Sequence, residues 1–431
     1  MPDTPNTPAD LAGWLSYLEQ LHPKAIALGL ERVSQVKQRL ALDINFLLIT
    51  VGGTNGKGST CAMLERILTT AGYRVGCYTS PHLLRYNERV RVLCQEVSDA
   101  GLCTAFAAVE QARGDTPLTY FEFGTLAAVW HFSRQQVQVA ILEVGLGGRL
   151  DAVNVFDPDC AIVTSVDIDH IDFLGNSRES IAFEKAGIFR TGKPALCGDA
   201  DAPEALLHHA QNIGAELQCI GKDFGFEHKS HQETWQFWSG AARIENLPLP
   251  VLSGEFQLAN AACALQAIQL LKSRLQVDIE DMRAGLLGVA LQGRFQKISR
   301  EGSGQPDVIL DVAHNPHAAR GLADNLRRSA YKQGKTIAVF AMLSDKDIAG
   351  VLRAVGHEVD EWHVAGIPQP RGLAHDKLAG LVREVLPQAQ VSTAVTVEQA
   401  FAQACRSAGE NDRIVAFGSF YTVADVLRAL I

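Results

Sequence analysis

The stretch Phe46-Leu47-Leu48-Ile49-Thr50-Val51-Gly52-Gly53-Thr54-Asn55-Gly56-Lys57-Gly58-Ser59-Thr60 runs from an apolar segment through clustered glycines into residues compatible with a helix. It is a strand, a glycine-rich turn and a helix start. Glycines let consecutive backbone N–H groups point inward at phosphate oxygens, the helix terminus adds partial positive charge, and the Lys57 ammonium can pair with a bound phosphate. Gly53, Thr54, Asn55, Gly56, Lys57, Gly58, Ser59 and Thr60 therefore form the expected cradle for a nucleoside triphosphate. The spacing departs from the usual phosphate loop. Val51 stands five positions before Gly56 in place of glycine, and Gly58 follows the lysine where Ser or Thr is expected. The competing reading is a glycine-rich strand-to-helix turn that binds no phosphate.

Working outward, Cys61 to Thr70, Phe121 to Phe132 and Ser180 to Ala186 have helical patterns, while Tyr73 to Thr79, Val137 to Glu143 and Cys160 to Val166 have strand patterns. This alternation predicts a mostly parallel, doubly wound sheet. Residues Glu216 to Leu252 change character and are expected to add a small antiparallel sheet; Gly254 to Leu271 and Ile279 to Leu287 return to helix. A second alternation follows, with strands at Asp307 to Asp311, Thr336 to Phe340, Glu361 to Val364 and Arg413 to Phe417, and helices from Ala318, Ala349, Leu378 and Val397. The predicted fold class is α/β: an N-terminal P-loop ATPase domain over 1–292, a linker at 293–297, and a smaller Rossmann-like domain over 298–431.

Composition limits what can surround the turn. At 431 residues and 47% hydrophobic content the chain exceeds one core's usual size, so two domains are expected. A formal charge of −9, 7% aromatic residues and no basic cluster interleaved with aromatics argue against a nucleic-acid track. No apolar run is long enough to cross a bilayer, and Met1 to Asp10 lacks the apolar core of a secretory signal. The nine cysteines show neither paired metal spacing nor a disulfide cadence, which suits reduced thiols in a cytoplasmic protein. No assembly signal stands out, so a monomer is expected.

Ligands collect at the carboxyl ends of strands in such sheets. That edge is expected to carry Lys57, Ser80, Glu143 and His170. Magnesium takes oxygen ligands and reaches nucleotide phosphates through one or two protein groups, so Glu143 suits it and Ser80 can serve. His170 is a less usual ligand for a hard ion, and a hydrogen-bonding loop role stays open. Asp167, Asp169 and Asp172 around it point to metal or phosphate, or to a solvated loop. Arg149 and Asp151 follow Gly145, Gly147 and Gly148, where backbone can approach a ligand closely. Glu184 and Lys185, taken alone, form an ordinary exposed helical pair. Arg294 is either a phosphate contact at the domain junction or a solvated linker residue, and Asp311 to Pro316 again joins a strand to a helix.

Taken in order, Gly53 to Ser59, Thr79-Ser80-Pro81-His82-Leu83, Glu143 to Ala152, Asp169-His170 through Leu174-Gly175, Glu184-Lys185-Ala186-Gly187, Asp311 to His317 and Gly418-Ser419-Phe420 resemble the folylpolyglutamate synthase family of the Mur ligase superfamily. The resemblance spans nearly the whole chain, and its members carry the Gly-Lys-Gly-Ser form of the loop. It implies an ATP-dependent amide ligase with Ser80, Glu143 and His170 as magnesium ligands, Asn260 and Arg294 on ATP, and Asp311 on the adenosine side. It also implies carbamylation of Lys185, which would help to hold a second Mg2+, and an amino-acid side that includes His314 and Ser419. Segments like Ala25 to Leu30, with Ala27, Leu28 and Gly29, and Leu118 to Thr125, with Phe121 and Glu122, bind pterin in the bacterial bifunctional branch. The implied substrates are dihydropteroate, reduced folates and L-glutamate, for paired dihydrofolate synthase and folylpolyglutamate synthase activities. The alternatives are a member with one activity, a cell-wall ligase of the same superfamily, and a nonenzymatic nucleotide-gated binding protein.

Overall fold

A computed structural model of the chain describes residues 8–23, 26–229, 232–252, 254–299, 305–329 and 334–431. The chain divides into two compact units, Met1–Pro250 with Leu258–Val289, and Val251–Gln257 with Ala290–Ile431.

The first unit is built on strands β1 (Leu47–Gly52), β2 (Val75–Tyr78), β3 (Val90–Val92), β4 (Gln95–Glu96), β5 (Val139–Glu143), β6 (Cys160–Val163), β7 (Pro194–Cys197) and β8 (Glu216–Cys219). They lie in the order β4-β3-β2-β5-β1-β6-β7-β8. All pairings from β2 to β8 along that order are parallel, and the β2–β3 and β3–β4 pairs are antiparallel. Every residue of β1 and β5 is buried, as expected of central strands covered by helices on both faces. Register aligns Val51 with Glu143 and Gly52 with Val163, so the turns after β1, β5 and β6 emerge at one edge. The connection from β1 leads past β5 to β2, whereas that from β5 leads past β1 to β6. The two leave in opposite directions and open a crevice at the carboxyl ends, where ligands enter open α/β sheets.

Helices Leu11–Gln20 and Glu31–Leu40 pack on Asp99–Arg113 and Tyr120–Arg134. Trp14 anchors that layer, 5.9 Å from Phe106 and 6.4 Å from Phe123 between ring centroids. Each fully buried aromatic side chain of this kind contributes roughly 1.5–3 kcal/mol.

Strands β9 (Phe224–Glu227), β10 (Thr234–Ser239) and β11 (Ala242–Pro248) form a separate antiparallel sheet in the order β11-β10-β9. The expected appendage is therefore present but shorter than the sequence suggests. Glu216–Cys219 pairs parallel with β7 and extends the main sheet instead.

The second unit carries β12 (Gln296–Ile298), β13 (Asp307–Leu310), β14 (Thr336–Phe340), β15 (Glu361–Ala365), β16 (Gln390–Ala394) and β17 (Arg413–Phe417) in the order β12-β13-β17-β14-β15-β16. All are parallel except β12, whose first two residues fall within the expected linker. Phe340, Trp362 and Phe417 fill its centre with ring centroids 5.0 to 6.1 Å apart. Both units are thus mixed-sheet α/β layers. No helix among the described residues is long and apolar enough to cross a membrane.

Candidate active site

The turn after β1 is held by the segment after β6. Thr54 N donates to Ser165 O at 2.8 Å, Asn55 N donates to Ser165 Oγ at 3.0 Å, and Thr164 Oγ1 donates to Asn55 O at 2.6 Å. Thr54 Oγ1 donates to Asp167 O and accepts from Asp167 N, each at 3.0 Å. Gly53 (φ +141°) and Gly56 (φ +88°) occupy conformations that favour glycine. A Cβ on Gly53 would lie 2.0 Å from Thr164 Oγ1, and one on Gly56 would lie 2.3 Å from Asn260 Oδ1. Gly56 is the N-cap of the Lys57–Thr70 helix and supplies no side-chain acceptor, so that helix start offers N–H groups to an anion. Lys57 Nζ donates back to Gly53 O at 3.0 Å and Thr54 O at 3.2 Å, poised over the turn. Gly58, Ser59 and Thr60 lie in the first helical turn; Ser59 and Thr60 are buried.

Gly56→Ala is expected to raise the KM for ATP at least tenfold and to destabilise the first unit by about 1–3 kcal/mol, from backbone strain and displacement of Asn260. ATP titration and thermal melting check both.

Glu143 closes β5 with only 4% of its surface exposed, and its Oε2 accepts from Ser80 N at 3.1 Å. The Glu143 carboxylate is the hard oxygen donor here, and the Ser80 backbone bonded to it brings a hydroxyl-bearing residue alongside, which suits an ion that keeps waters and phosphate oxygens for its remaining positions. Among the described residues, no group of three or more His, Cys, Asp or Glu is gathered to hold a metal without such help. His170 adopts φ +53° and opens the short Ile171–Leu174 helix, with its N–H on Asp169 Oδ1 at 2.8 Å. Asp167 and Asp169 are both drawn into local backbone bonds, whereas Asp172 is exposed.

Lys185 overturns the reading of an exposed helical pair. It is 4% exposed on the Arg178–Ala186 helix, and burial lowers its ammonium to about 7. The charge of Lys57 pushes the same way, against Asp169 and Asp151. Its neighbour Glu184 pairs with Arg149 instead, Nη2 to Oε1 at 2.8 Å.

The turn after β5 docks on the end of that helix. Arg149 N donates to Glu184 O at 2.7 Å, and a Cβ on Gly148 would lie 2.7 Å from the same oxygen. The buried Asp151 carboxylate organises the turn, with Oδ2 accepting from Leu146 N and Oδ1 from Val153 N, both at 2.9 Å. Burial raises it to about 6 despite those bonds. Gly145 lies beneath the Phe121 ring, 2.6 Å from where its Cβ would be.

Arg32 gathers the remaining segments. Its Nη2 donates to Ala27 O at 2.8 Å and to Glu122 Oε1 at 3.0 Å, while Glu122 also caps its own helix with Thr119. Gly29 N donates to Leu150 O at 3.4 Å. Ala27, Gly29, Phe121, Glu122 and the 145–151 turn are thus brought together, with Leu28 partly exposed beside them; Ala25 lies outside the described residues. Arg32, Thr164 and Ser165 went unrecognised in the sequence, since nothing in their local pattern marks partners about a hundred residues away.

In the second unit, Asp311 is buried, with Oδ2 accepting from Phe295 N and Oδ1 from Ala313 N, both at 2.8 Å. Burial raises its carboxyl, opposed chiefly by Arg294. Arg294 stands 5.5 Å from the Phe420 ring, and the His314 ring 6.3 Å from it. His314 Nδ1 lies 2.8 Å from Val312 O, which fixes the proton on that nitrogen. Ser419 is buried and caps the Phe420–Leu430 helix, accepting from Thr422 N at 3.0 Å.

Residues 51–268 match the Mur ligase middle domain, and residues 293–420 match the Mur ligase glutamate ligase domain. The Escherichia coli (strain K12) dihydrofolate synthase/folylpolyglutamate synthase is 47% identical over 99% of this chain and 97% of its own length. Among solved structures, E. coli FolC in complex with DHPP and ADP superposes with a TM-score of 0.92 at 46% identity, covering 99% of both chains. A bifunctional folylpolyglutamate synthase/dihydrofolate synthase with Mn, AMPPNP and L-glutamate bound gives a TM-score of 0.89 at 48% identity, again over 99% of both. With similarity of that extent over both units, the chain belongs to the folylpolyglutamate/dihydrofolate synthase family of the Mur ligase superfamily.

Proposed function

We propose that the chain is an ATP-dependent ligase that joins L-glutamate to dihydropteroate and extends reduced folates with further glutamates. The observation that carries it is the convergence of Ala27–Gly29, Phe121–Glu122 and the 145–151 turn at the carboxyl ends of the strands that also carry the glycine turn. The near full-length likeness to bifunctional enzymes supports both activities.

In this reading the glycine turn works as a P-loop, and the 298–431 domain is Rossmann-like and serves the glutamate side. Residues 1–292 bind ATP and pterin, and 293–297 link the two domains. The substrate carboxylate attacks the γ-phosphorus of ATP, forming an acyl phosphate and releasing ADP. Gly53 to Thr60 cradle the phosphates, Lys57 offsets the charge that gathers on the transferring group, and Asn260, Arg294 and Asp311 hold the nucleotide. Ser80, Glu143 and His170 would hold magnesium, which would supply further charge neutralisation. The glutamate amine then attacks the acyl carbon and phosphate leaves, with His314 and Ser419 on the amino-acid side. Arg149 and Asp151 shape the turn that lies against the pterin, together with Ala27, Leu28, Gly29, Phe121 and Glu122.

Burial shifts Lys185 toward the neutral amine, the state that reacts with CO2 to give a carbamate and a proton. Carbamylated Lys185 would present oxygens to a second Mg2+. The protein is read as a cytoplasmic monomer.

Mixing protein, ATP, magnesium, L-glutamate and either dihydropteroate or tetrahydrofolate should release ADP only when glutamate is present, with a product heavier by one glutamyl residue. ADP release with one acceptor alone would reduce the assignment to a single activity. None with either would sink it.

A further inference from the structure

We infer that Arg89 is the receptor for a non-reacting carboxylate on the glutamate tail of a folate substrate, and so sets the balance between acceptors with and without glutamate. The inference rests on the ligase reading above. Arg89 ends the loop between β2 and β3, and its carbonyl accepts from Thr79 N at 2.9 Å, which closes the loop beside Ser80. Its guanidinium carbon stands 5.4 Å from the Tyr86 ring centroid and 5.6 Å from that of Tyr120, while Nε donates to His82 Nδ1 at 2.9 Å. Tyr120 is the first residue of the helix that presents Phe121 and Glu122. The guanidinium thus joins the Ser80 loop to the segment proposed to hold the pterin.

Its charge has no carboxylate partner among the described residues, unlike its neighbours. Arg85 pairs with Asp99 and Glu96, Arg91 with Glu65, and Arg32 with Glu122. The adjacent carboxylate of Glu88 is turned back on its own loop, accepting from Leu83, Leu84 and Arg85 N at 2.6 to 2.7 Å. A half-buried guanidinium laid against two ring faces, bonded through Nε to His82 and also hydrogen-bonded to the Tyr78 hydroxyl, keeps its remaining N–H groups for an incoming carboxylate.

The reacting carboxylate is the poorer occupant, because a fork that holds both oxygens leaves neither free to attack phosphorus. Dihydropteroate has only that one carboxylate. A folate monoglutamate has two, so one remains for Arg89 while the other reacts.

The test compares kcat/KM for tetrahydrofolate and dihydropteroate in the wild type, Arg89→Gln and Arg89→Lys. It adds a tetrahydrofolate analogue whose non-reacting carboxylate is an amide. Arg89→Gln should lower the tetrahydrofolate to dihydropteroate ratio at least about tenfold, chiefly through KM, with part restored in Arg89→Lys. The wild type should prefer acid to amide by a similar factor, and Arg89→Gln should not. An unmoved ratio, including one in which both activities fall together, would overturn the role, as would indifference of the wild type to the amide. A wild type inactive with both acceptors would instead overturn the ligase reading.

Discussion

Lys57→Ala is expected to lower ADP release by about 10²–10³-fold while the melting temperature moves little. The side chain gives the turn two hydrogen bonds, to Gly53 O and Thr54 O, and neither is needed for burial of the core beneath. Loss of such bonds at a partly exposed site costs about 1 kcal/mol. A preorganised cation facing the transferring phosphoryl group is worth several times that in the transition state. Steady-state kinetics with a melting curve separates the two effects. Undiminished product formation would remove Lys57 from the chemistry.

Lys185→Ala should produce a loss of similar size, about 10²-fold, greater at limiting magnesium and much smaller in ATP affinity. The pH dependence has a definite sign. Carbamate formation needs the neutral amine and releases a proton, so below pH 7 the ammonium competes with CO2 and activity should fall as pH drops from 8 to 6. Stability responds to the same group: between pH 7 and about 10.5 the unfolded chain binds the proton that the folded chain has lost, so this lysine's contribution to stability rises with pH. Removing dissolved CO2 should slow the wild type reversibly and leave Lys185→Ala untouched. A wild type indifferent to CO2 would contradict carbamylation, and a fully active Lys185→Ala would contradict any role.

Much of this site is written locally. The strand, glycine turn and helix at 46–60 follow from one continuous stretch, and the strand-end placement of Ser80 and Glu143 follows from alternation of strand and helix. The second sheet was equally legible, apart from the short strands β12 and β16, whose polar residues hide the pattern. What sequence could not disclose is contact across distance. Nothing near Lys185 announces that its helix is packed under the Gly148 turn, so local sequence alone reads the pair with Glu184 as solvated, whereas Lys185 is buried. Arg32 reaches Glu122 across 90 residues, and Ser165 supports Asn55 across 110. The family resemblance implies roles for Lys185, Glu122 and Asn55, while their partners come from the fold.

In the proposed reaction ATP serves to activate the carboxylate of the pterin-bearing substrate. Dihydropteroate labelled with ¹⁸O in both carboxylate oxygens tests it directly in a reaction with ATP and L-glutamate. An acyl phosphate takes its bridging oxygen from the carboxylate, so one ¹⁸O should appear in the inorganic phosphate for each amide formed. Phosphate free of label, with both ¹⁸O atoms absent from it while amide accumulates, would contradict carboxylate activation by phosphoryl transfer.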